Sequence, residues 1–254
     1  MCLIALAWRM HPRWPLLLAG NRDEFHARPA APAAVLADAP DVFGGIDLQA
    51  GGSWLLASTR NRLAAITNVR IGLPGERAPR SRGELVKAFA CGSQPAAAFA
   101  AGLAAQAAAY GRFNLLLWDG QQMRCVGNHP TFHDVALAPG LHTLSNAHLD
   151  AGWPKALRLR AALAASLATA ADDPEPLFAA LADTVPAADA QLPDTGVGLA
   201  LERQLSSPFV RGDRYGTRCS TLVLAEAKGV GMIERRFDAD GRCVGEGRLG
   251  TCAR

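Results

Sequence analysis

Long apolar runs are missing from this chain of 254 residues. Stretches such as Leu16-Leu17-Leu18-Ala19 fall far short of the roughly 18–20 residues that cross a bilayer, so no membrane span is expected. Residues 1–10 have no basic segment leading into a long apolar core and a cleavage site, so no signal peptide is expected. One-sided charge is missing too. Lys+Arg 26 against Asp+Glu 23 leaves only +3, and the basic residues are scattered, which argues against a nucleic-acid partner. With 2 Tyr and no interleaving of aromatic and basic residues there is no base-stacking platform. The cysteines, at positions 2, 91, 125, 219, 243 and 252, form no C-x-x-C pair. That disfavours a zinc cluster and covalent haem, and reduced thiols in the cytoplasm are the expectation. His129, His133, His142 and His148 cluster in sequence, but Pro130 breaks the helix that a metal-binding i,i+4 pair would need, so no metal is expected. Gly229-Val230-Gly231 and Gly245-Glu246-Gly247 lack the strand–helix context of a phosphate loop.

What is present is a hydrophobic content of 50%, enough for a real core. Neither an internal repeat nor a domain boundary is visible, so a single domain over residues 1–254 is expected. The first two dozen residues organise the rest. Cys2 follows Met1, and its small side chain suits removal of that methionine. Residue 2 would then carry both a thiol, with an ordinary pKa of about 8.5, and an α-amine, at about 7.7–8.0, able to take the thiol proton. His11-Pro12-Arg13-Trp14-Pro15 reads as a turn between two apolar runs. A hairpin centred near residue 12 or 13 sets Cys2 opposite residue 22 or 23 and brings Asn21-Arg22-Asp23-Glu24 to it. The plainer reading makes Cys2 a small apolar residue at the start of a buried strand and the charges a solvated turn.

The remaining elements follow in order. Residues 26–32 read as an extended, proline-marked connection. Residues 53–58 and 62–69 form a hairpin around a polar tip. Ser81, with Glu84 three residues on, opens a helix over 81–91 as a capping box. Residues 94–110 are alanine-rich and helical. Strands follow at 113–118, 123–126 and 141–146, then helices at 154–170 and, after Asp172-Asp173, at 174–183. Residues 186–195 read as a loop. A last hairpin, 219–225 with 230–237, turns at Lys228-Gly229, and 245–254 is an edge strand or a tail. Strand hairpins alternating with helix pairs disfavour a doubly wound parallel sheet and suit antiparallel sheets with helices on their outer faces.

Three dispersed polar groups join Cys2: Asn21 to Glu24, the strand-end pairs Thr67-Asn68 and Ser145-Asn146, and Arg218 at the start of a late strand. An asparagine at the end of an apolar strand caps a turn in the plain reading. In a functional reading its amide donates to an oxyanion, at about 2.7–4 kcal/mol of barrier per donor. Met1-Cys2-Leu3, Asn21-Arg22-Asp23-Glu24-Phe25, Gly51-Gly52-Ser53-Trp54, Thr67-Asn68, Ser81-Arg82-Gly83, Phe113-Asn114-Leu115, Leu144-Ser145-Asn146 and Trp153-Pro154-Lys155, taken in order, resemble the motifs of the NRDE family, also called the transport and Golgi organization family. The pattern more remotely resembles the cysteine N-terminal nucleophile hydrolases, such as penicillin V acylase, bile salt hydrolase and acid ceramidase.

The resemblance implies an α+β fold, a four-layer αββα sandwich of antiparallel sheets. It implies Cys2 as nucleophile, Arg22 and Asp23 holding its thiol and amine, Asn68 and Asn146 as oxyanion and amine-orienting groups, and Arg218 near the nucleophile. Asn21, Glu24 and Trp54 are expected to bind substrate. The implied activity is hydrolysis of an amide, ester or thioester. The implied alternative is non-catalytic binding or trafficking of an acyl-CoA, a lipid or haem, with no required cofactor and haem as a non-covalent ligand. In those hydrolases the arginine and the aspartate are separated, whereas Arg22 and Asp23 are adjacent. Neighbours in a regular strand face opposite ways, so either Asn21 with Asp23 or Arg22 with Glu24 faces the thiol.

Overall fold

The structure is a computed structural model that describes residues 2–73, 78–169 and 173–252. Met1 and residues 170–172, which touch the expectations for methionine removal and for the end of the 154–170 helix, lie outside the described residues. Strands β1 (Cys2–Trp8) and β2 (Leu16–Phe25) form the expected hairpin, with Cys2 opposite Arg22, Leu3 opposite Asn21 and Trp8 opposite Leu16. The turn falls where the two prolines set it, because Pro favours turn positions and cannot donate to a ladder.

Eleven further strands among the described residues complete two antiparallel sheets: β3 (Ala30–Leu36), β4 (Ala39–Asp47), β5 (Leu55–Ser58), β6 (Arg62–Asn68), β7 (Phe113–Trp118), β8 (Met123–Gly127), β9 (His133–Ala136), β10 (Gly140–Leu144), β11 (Tyr215–Glu226), β12 (Gly229–Phe237) and β13 (Cys243–Gly250). The first sheet has the order β10-β1-β2-β11-β12-β13, and the second runs from β3 to β9 in chain order. Helices α1 (Gly83–Cys91) and α2 (Ala96–Leu103) cover the second sheet, while α3 (Pro154–Thr169) and α4 (Glu175–Leu181) cover the first. A short helix α5 (Leu199–Gln204) lies between α4 and β11.

The strand period of two distributes each strand between two cores. Ile4, Leu6 and Trp8 of β1 face the other sheet, where Trp8 meets Trp118 edge to face at 6.5 Å. Leu3, Ala5 and Ala7 face α3 and α4, against Leu159, Leu163 and Phe178. Val42, Leu56 and Ala64 of the second sheet face Leu85, Val86 and Phe89 of α1. The layers are therefore helix, sheet, sheet, helix. Because β1 and the first half of β2 are covered on both faces, Cys2–Trp8 and Leu16–Gly20 carry no polar side chain, as in strands buried on two sides.

Several elements differ from the sequence expectation. The stretch read as a connection at 26–32 runs into β3, an edge strand with register shifts around Pro32, which is where a sheet tolerates proline. Residues 94–110 divide into α2 and a 3₁₀ turn over Ala104–Ala109. The loop at 186–195 holds a 3₁₀ turn at Asp189–Gln191, and α5 and β9 were not legible from pattern. Glu84 accepts the backbone N–H of Ser81 at 3.1 Å, but the Ser81 hydroxyl does not cap, so half of the capping box forms.

Candidate active site

The site lies where β1 begins, between the two sheets. Cys2, buried, faces inward and opens on a cavity of about 590 Å³. The cavity is lined also by Arg22, Asp23, Glu24, Arg28, Asp47, Trp54, Thr67, Asn68 and the segment from Ala78 to Gly83. Two of the sequence motifs meet at its rim. Ser53 N–H donates to the Gly83 carbonyl at 3.2 Å, and a Cβ on Gly52 would lie 2.4 Å from the Gly83 carbonyl carbon. Only glycine allows that approach of the two backbones. Gly20, on β2, likewise allows a close backbone approach, since a Cβ there would lie 2.9 Å from the Leu3 carbonyl oxygen. Trp54 stands between the Cys2 cavity and a smaller one of about 180 Å³, and Arg22 and Asp47 also line both.

The pairing register decides which way the tetrapeptide faces. Arg22 opposes Cys2 on the inward face, with Glu24 beside it. Among the described residues the Arg22 guanidinium makes one long ion pair with Glu24, 3.8 Å, and no hydrogen bond, although it is 8% exposed. Asn21, expected to bind substrate, instead faces the helical layer and is spent on structure. Its Nδ2 donates to the carbonyls of Leu181 and Pro208 at 2.8 and 2.9 Å, and its Oδ1 accepts from Ser220 Oγ at 2.6 Å. Asp23 also turns to that side, yet it reaches the cavity wall because β1 begins only at Cys2, opposite Arg22. Its Oδ1 accepts from Thr217 Oγ1 at 2.7 Å, and its backbone carbonyl accepts from Tyr215 Oη at 2.9 Å. A bulge in β11, between Thr217 and Cys219, sets up both contacts. The bulge throws Arg218 outward. Its Nη1 donates to the carbonyls of Phe25, His26 and Arg28, and its side chain lines the smaller cavity rather than that of Cys2.

The two asparagines come together, but only one lines the cavity. Asn146, fully buried, donates through Nδ2 to the backbone carbonyl of Asn68 at 2.9 Å and to its Oδ1 at 3.1 Å. That spends both Asn146 hydrogens and fixes the Asn68 carboxamide by its oxygen. The Asn68 Nδ2 hydrogens are left unspent among the described residues, on a residue that lines the cavity beside Cys2. Ser145 Oγ donates to the Cys2 carbonyl at 3.1 Å and ties β1 to the same corner.

Electrostatics at the site are set by burial. Desolvation raises the Cys2 thiol above its ordinary value. Arg22 lowers it, and Asp23 and Glu24 raise it further, so the arginine offsets burial only in part. Asp23 is raised for the same first reason and lowered by Lys155. Lys155 was legible only as the end of a Trp-Pro-Lys run at a helix start. It is 1% exposed, and burial lowers it to about 8. A signal was present in the sequence: a lysine in the first turn of a helix opposes the macrodipole, and α3 has no acidic residue there. The unfolded chain takes up the Lys155 proton below about pH 10.5, the folded one only below about 8. Burying Lys155 therefore costs stability fully below pH 8, and the cost fades as pH rises to 10.5. Across that window the unfolding free energy of the wild type should rise by about 3 kcal/mol relative to Lys155→Met. Paired denaturant titrations test this, and a pH-independent difference would refute it.

Among the described residues no three His, Cys, Asp or Glu side chains converge to hold a metal ion. Among the described residues that line the cavity Cys2 is the one soft axial donor and no histidine lines it, which fits a haem site poorly. No described helix is long and apolar enough to cross a membrane.

Sequence comparison decides the family. The profile of "Transport and Golgi organisation 2" matches residues 1–239. The chain belongs to the Transport and Golgi organisation 2 family. The family's Bos taurus "Transport and Golgi organization protein 2 homolog" is 33% identical over 249 residues, covering 90% of each chain. The Homo sapiens homolog is 32% identical over the same length and coverage. The Drosophila melanogaster protein is 38% identical over 86 residues, 32% of this chain and 30% of that one. Two solved structures share the fold of this family member at 9% identity. One is the mutant C2A conjugated bile acid hydrolase from Clostridium perfringens, with a TM-score of 0.58, covering 98% of this chain and 92% of that one. The other is the Caenorhabditis elegans N-acylethanolamine-hydrolyzing acid amidase ortholog, with a TM-score of 0.54, covering 88% and 92%. The αββα sandwich of antiparallel sheets is thus the N-terminal nucleophile hydrolase fold.

Proposed function

We propose that this member of the Transport and Golgi organisation 2 family is a cysteine N-terminal nucleophile hydrolase acting on an acyl amide, ester or thioester. The observation that carries the reading is that Cys2 and Asn68 line one cavity, the Asn68 amide being pinned by Asn146. After removal of Met1, the α-amine of Cys2 takes the Sγ proton. The sulfur attacks the acyl carbon, the carbonyl electron pair moves to oxygen, and Asn68 Nδ2 donates to that oxyanion. The amine returns its proton to the leaving amine, alkoxide or thiolate, and water releases the acid from the acyl-thioester. A raised thiol pKa supports the need for a base so close at hand. The fold neighbours, an acid amidase and a conjugated bile acid hydrolase by name, support an acyl substrate.

A second reading has its own observation. A guanidinium as buried as that of Arg22, with no hydrogen bond from the described residues, suits two parallel bonds to a carboxylate. In that reading the cavity holds an acyl or lipid carboxylate without turnover. One experiment separates the two. Intact mass should show a chain starting at Cys2, and an activated acyl ester should leave a transient acyl group on residue 2, seen by peptide mass after acid quench. A retained methionine, or acylation spread over the six cysteines, removes the catalytic reading.

A further inference from the structure

The smaller cavity, which Trp54 separates from that of Cys2, has no part in the mechanism above. One of its walls is a row of directly paired residues on the inward face of the first sheet. Cys2 opposes Arg22, Arg22 opposes Cys219, and Cys219 opposes Arg236. Directly opposed residues put their side chains on one face, about 4.5–5.5 Å apart. Cys219 is therefore a short side chain between two long ones, and the notch above it opens into the cavity of about 180 Å³. Gly245, next in the row, adds no side chain, and the Arg236 guanidinium lies where its Cβ would be.

The notch collects positive charge. Arg22, Arg218 and Arg236 all line it. Arg22 is 8% exposed, and among the described residues it has only the long ion pair with Glu24, which lines the other cavity. Arg218 is held by three backbone carbonyls, which are neutral. Arg236 makes neither a hydrogen bond nor an ion pair among the described residues. Two carboxylates also line the cavity. Asp47 is spent on Arg28, whose Nε and Nη2 donate to its Oδ2 at 2.8 and 2.6 Å. Glu234 accepts the backbone N–H of Ala33 at 2.8 Å and balances one arginine at most. Burial keeps the Cys219 thiol neutral. Three guanidinium groups therefore face one uncommitted carboxylate, and a further anion would be stabilised there.

We propose that this smaller cavity is a binding site for the carboxylate of a short-chain acid, received by Arg22, Arg218 and Arg236. The ligand class follows from the rest of the lining. Ile46, Phe237 and Val244 offer an apolar stem a place to lie. The same side chains would leave the outer oxygens of a phosphate without donors, and Glu234 repels a dianion more than a monoanion. A carboxylate presents both oxygens at one end, where a guanidinium meets them with two parallel bonds. The site lies on the far side of Trp54 from Cys2, so it differs from a carboxylate held by Arg22 beside the thiol. Arg22 belongs to both walls, and an occupant of the smaller cavity engages it from there.

The test is calorimetric titration of the full chain with butyrate, with its uncharged counterpart butanamide, and with inorganic phosphate. Butyrate should bind at one site with a dissociation constant of about 1 mM or tighter, and the other two at least about tenfold more weakly. Arg236→Met removes a cation that lines only the smaller cavity and should weaken butyrate at least about tenfold. Cys219→Leu fills the notch with every charge in place and should weaken it as much. Circular dichroism and the urea midpoint report whether each variant folds. Should Cys219→Leu not fold, Arg236→Met, on a half-buried position, carries the test alone. Unchanged butyrate affinity in folded Arg236→Met would put the carboxylate beside Cys2 and overturn the proposal. Equal binding of butanamide or phosphate, or no binding of butyrate, would overturn it too. The inference does not need turnover at Cys2. A chain that retains Met1 loses the nucleophile reading yet should still bind butyrate, whereas a chain that hydrolyses esters without binding butyrate loses this site alone.

Discussion

Glu202→Ala is expected to lower the unfolding free energy by about 4 kcal/mol, read as a fall in the urea midpoint with an unchanged slope. Glu202 and Arg70 form an ion pair in which the side chains are 3% and 6% exposed. The carboxylate also accepts the backbone N–H and hydroxyl of Thr195 at 2.8 and 2.6 Å, and so fastens α5 to the 186–195 segment. Arg70 also meets Thr195 Oγ1 and the face of Trp153, 4.7 Å from its ring centroid, neutral groups that do not replace the charge of the lost carboxylate. Removing one member of a buried pair leaves the other charged and desolvated, which is why the effect exceeds that of any surface bridge in this protein, where a pair is worth about 1 kcal/mol or less. The variant would also leave Arg70 and Lys155 as neighbouring cations. Because the Arg70 N–H donates to the Asn146 carbonyl at 2.8 Å, the Asn146–Asn68 clamp should loosen as well. A loss under about 1 kcal/mol would show that the pair is already balanced by other groups.

Cys2→Ala should abolish acyl hydrolysis, by a factor of at least about 10³, while leaving ligand affinity within a few-fold of the wild type. The substitution removes only the sulfur. Arg22, Asn68 and Asp23 keep their partners, because none of their hydrogen bonds among the described residues runs through Sγ. Cys2→Ser is the sharper control. Its hydroxyl holds the proton far more tightly than a thiol, so an amine with a pKa of about 8 is a poor base for it, and only residual activity should survive. Steady-state kinetics with an acyl ester and a binding titration with the matching fatty acid measure the two halves. Hydrolysis retained by Cys2→Ala would remove the catalytic role of Cys2. Unchanged binding, in a chain whose wild type turns nothing over, would favour the carboxylate-binding reading carried by Arg22.

How far the sequence reached is clearest at particular residues. The pairing of Cys2 with Arg22 was legible because a two-proline turn between apolar runs sets hairpin register locally. The same local rules located β5 and β6, β7 and β8, and β11 and β12 within a few residues. Strand β3 was not legible, because an exposed edge strand with a proline needs no apolar alternation. Asn68 and Asn146 could be picked out as strand-end asparagines, but both looked alike. Only their contact showed that one lines the cavity and the other holds it.

Period-two geometry alone reduced the Asn21-Arg22-Asp23-Glu24 question to two alternatives. Choosing between them required knowing which face of β2 meets the second sheet, a matter of how four layers stack. Arg218 appeared to belong with the nucleophile, until a one-residue bulge, invisible in composition, turned it to the neighbouring cavity. Lys155 was hidden for the same reason, since nothing within a few positions of a helix-start lysine tells whether its amine ends in water or under a sheet. The sequence by itself determined the hairpins, the family motifs and the layer order, because these follow from neighbours along the chain. The partners of the buried charges were decided only by tertiary structure, because burial and counter-charge come from residues brought together across 132 positions, as between Arg70 and Glu202.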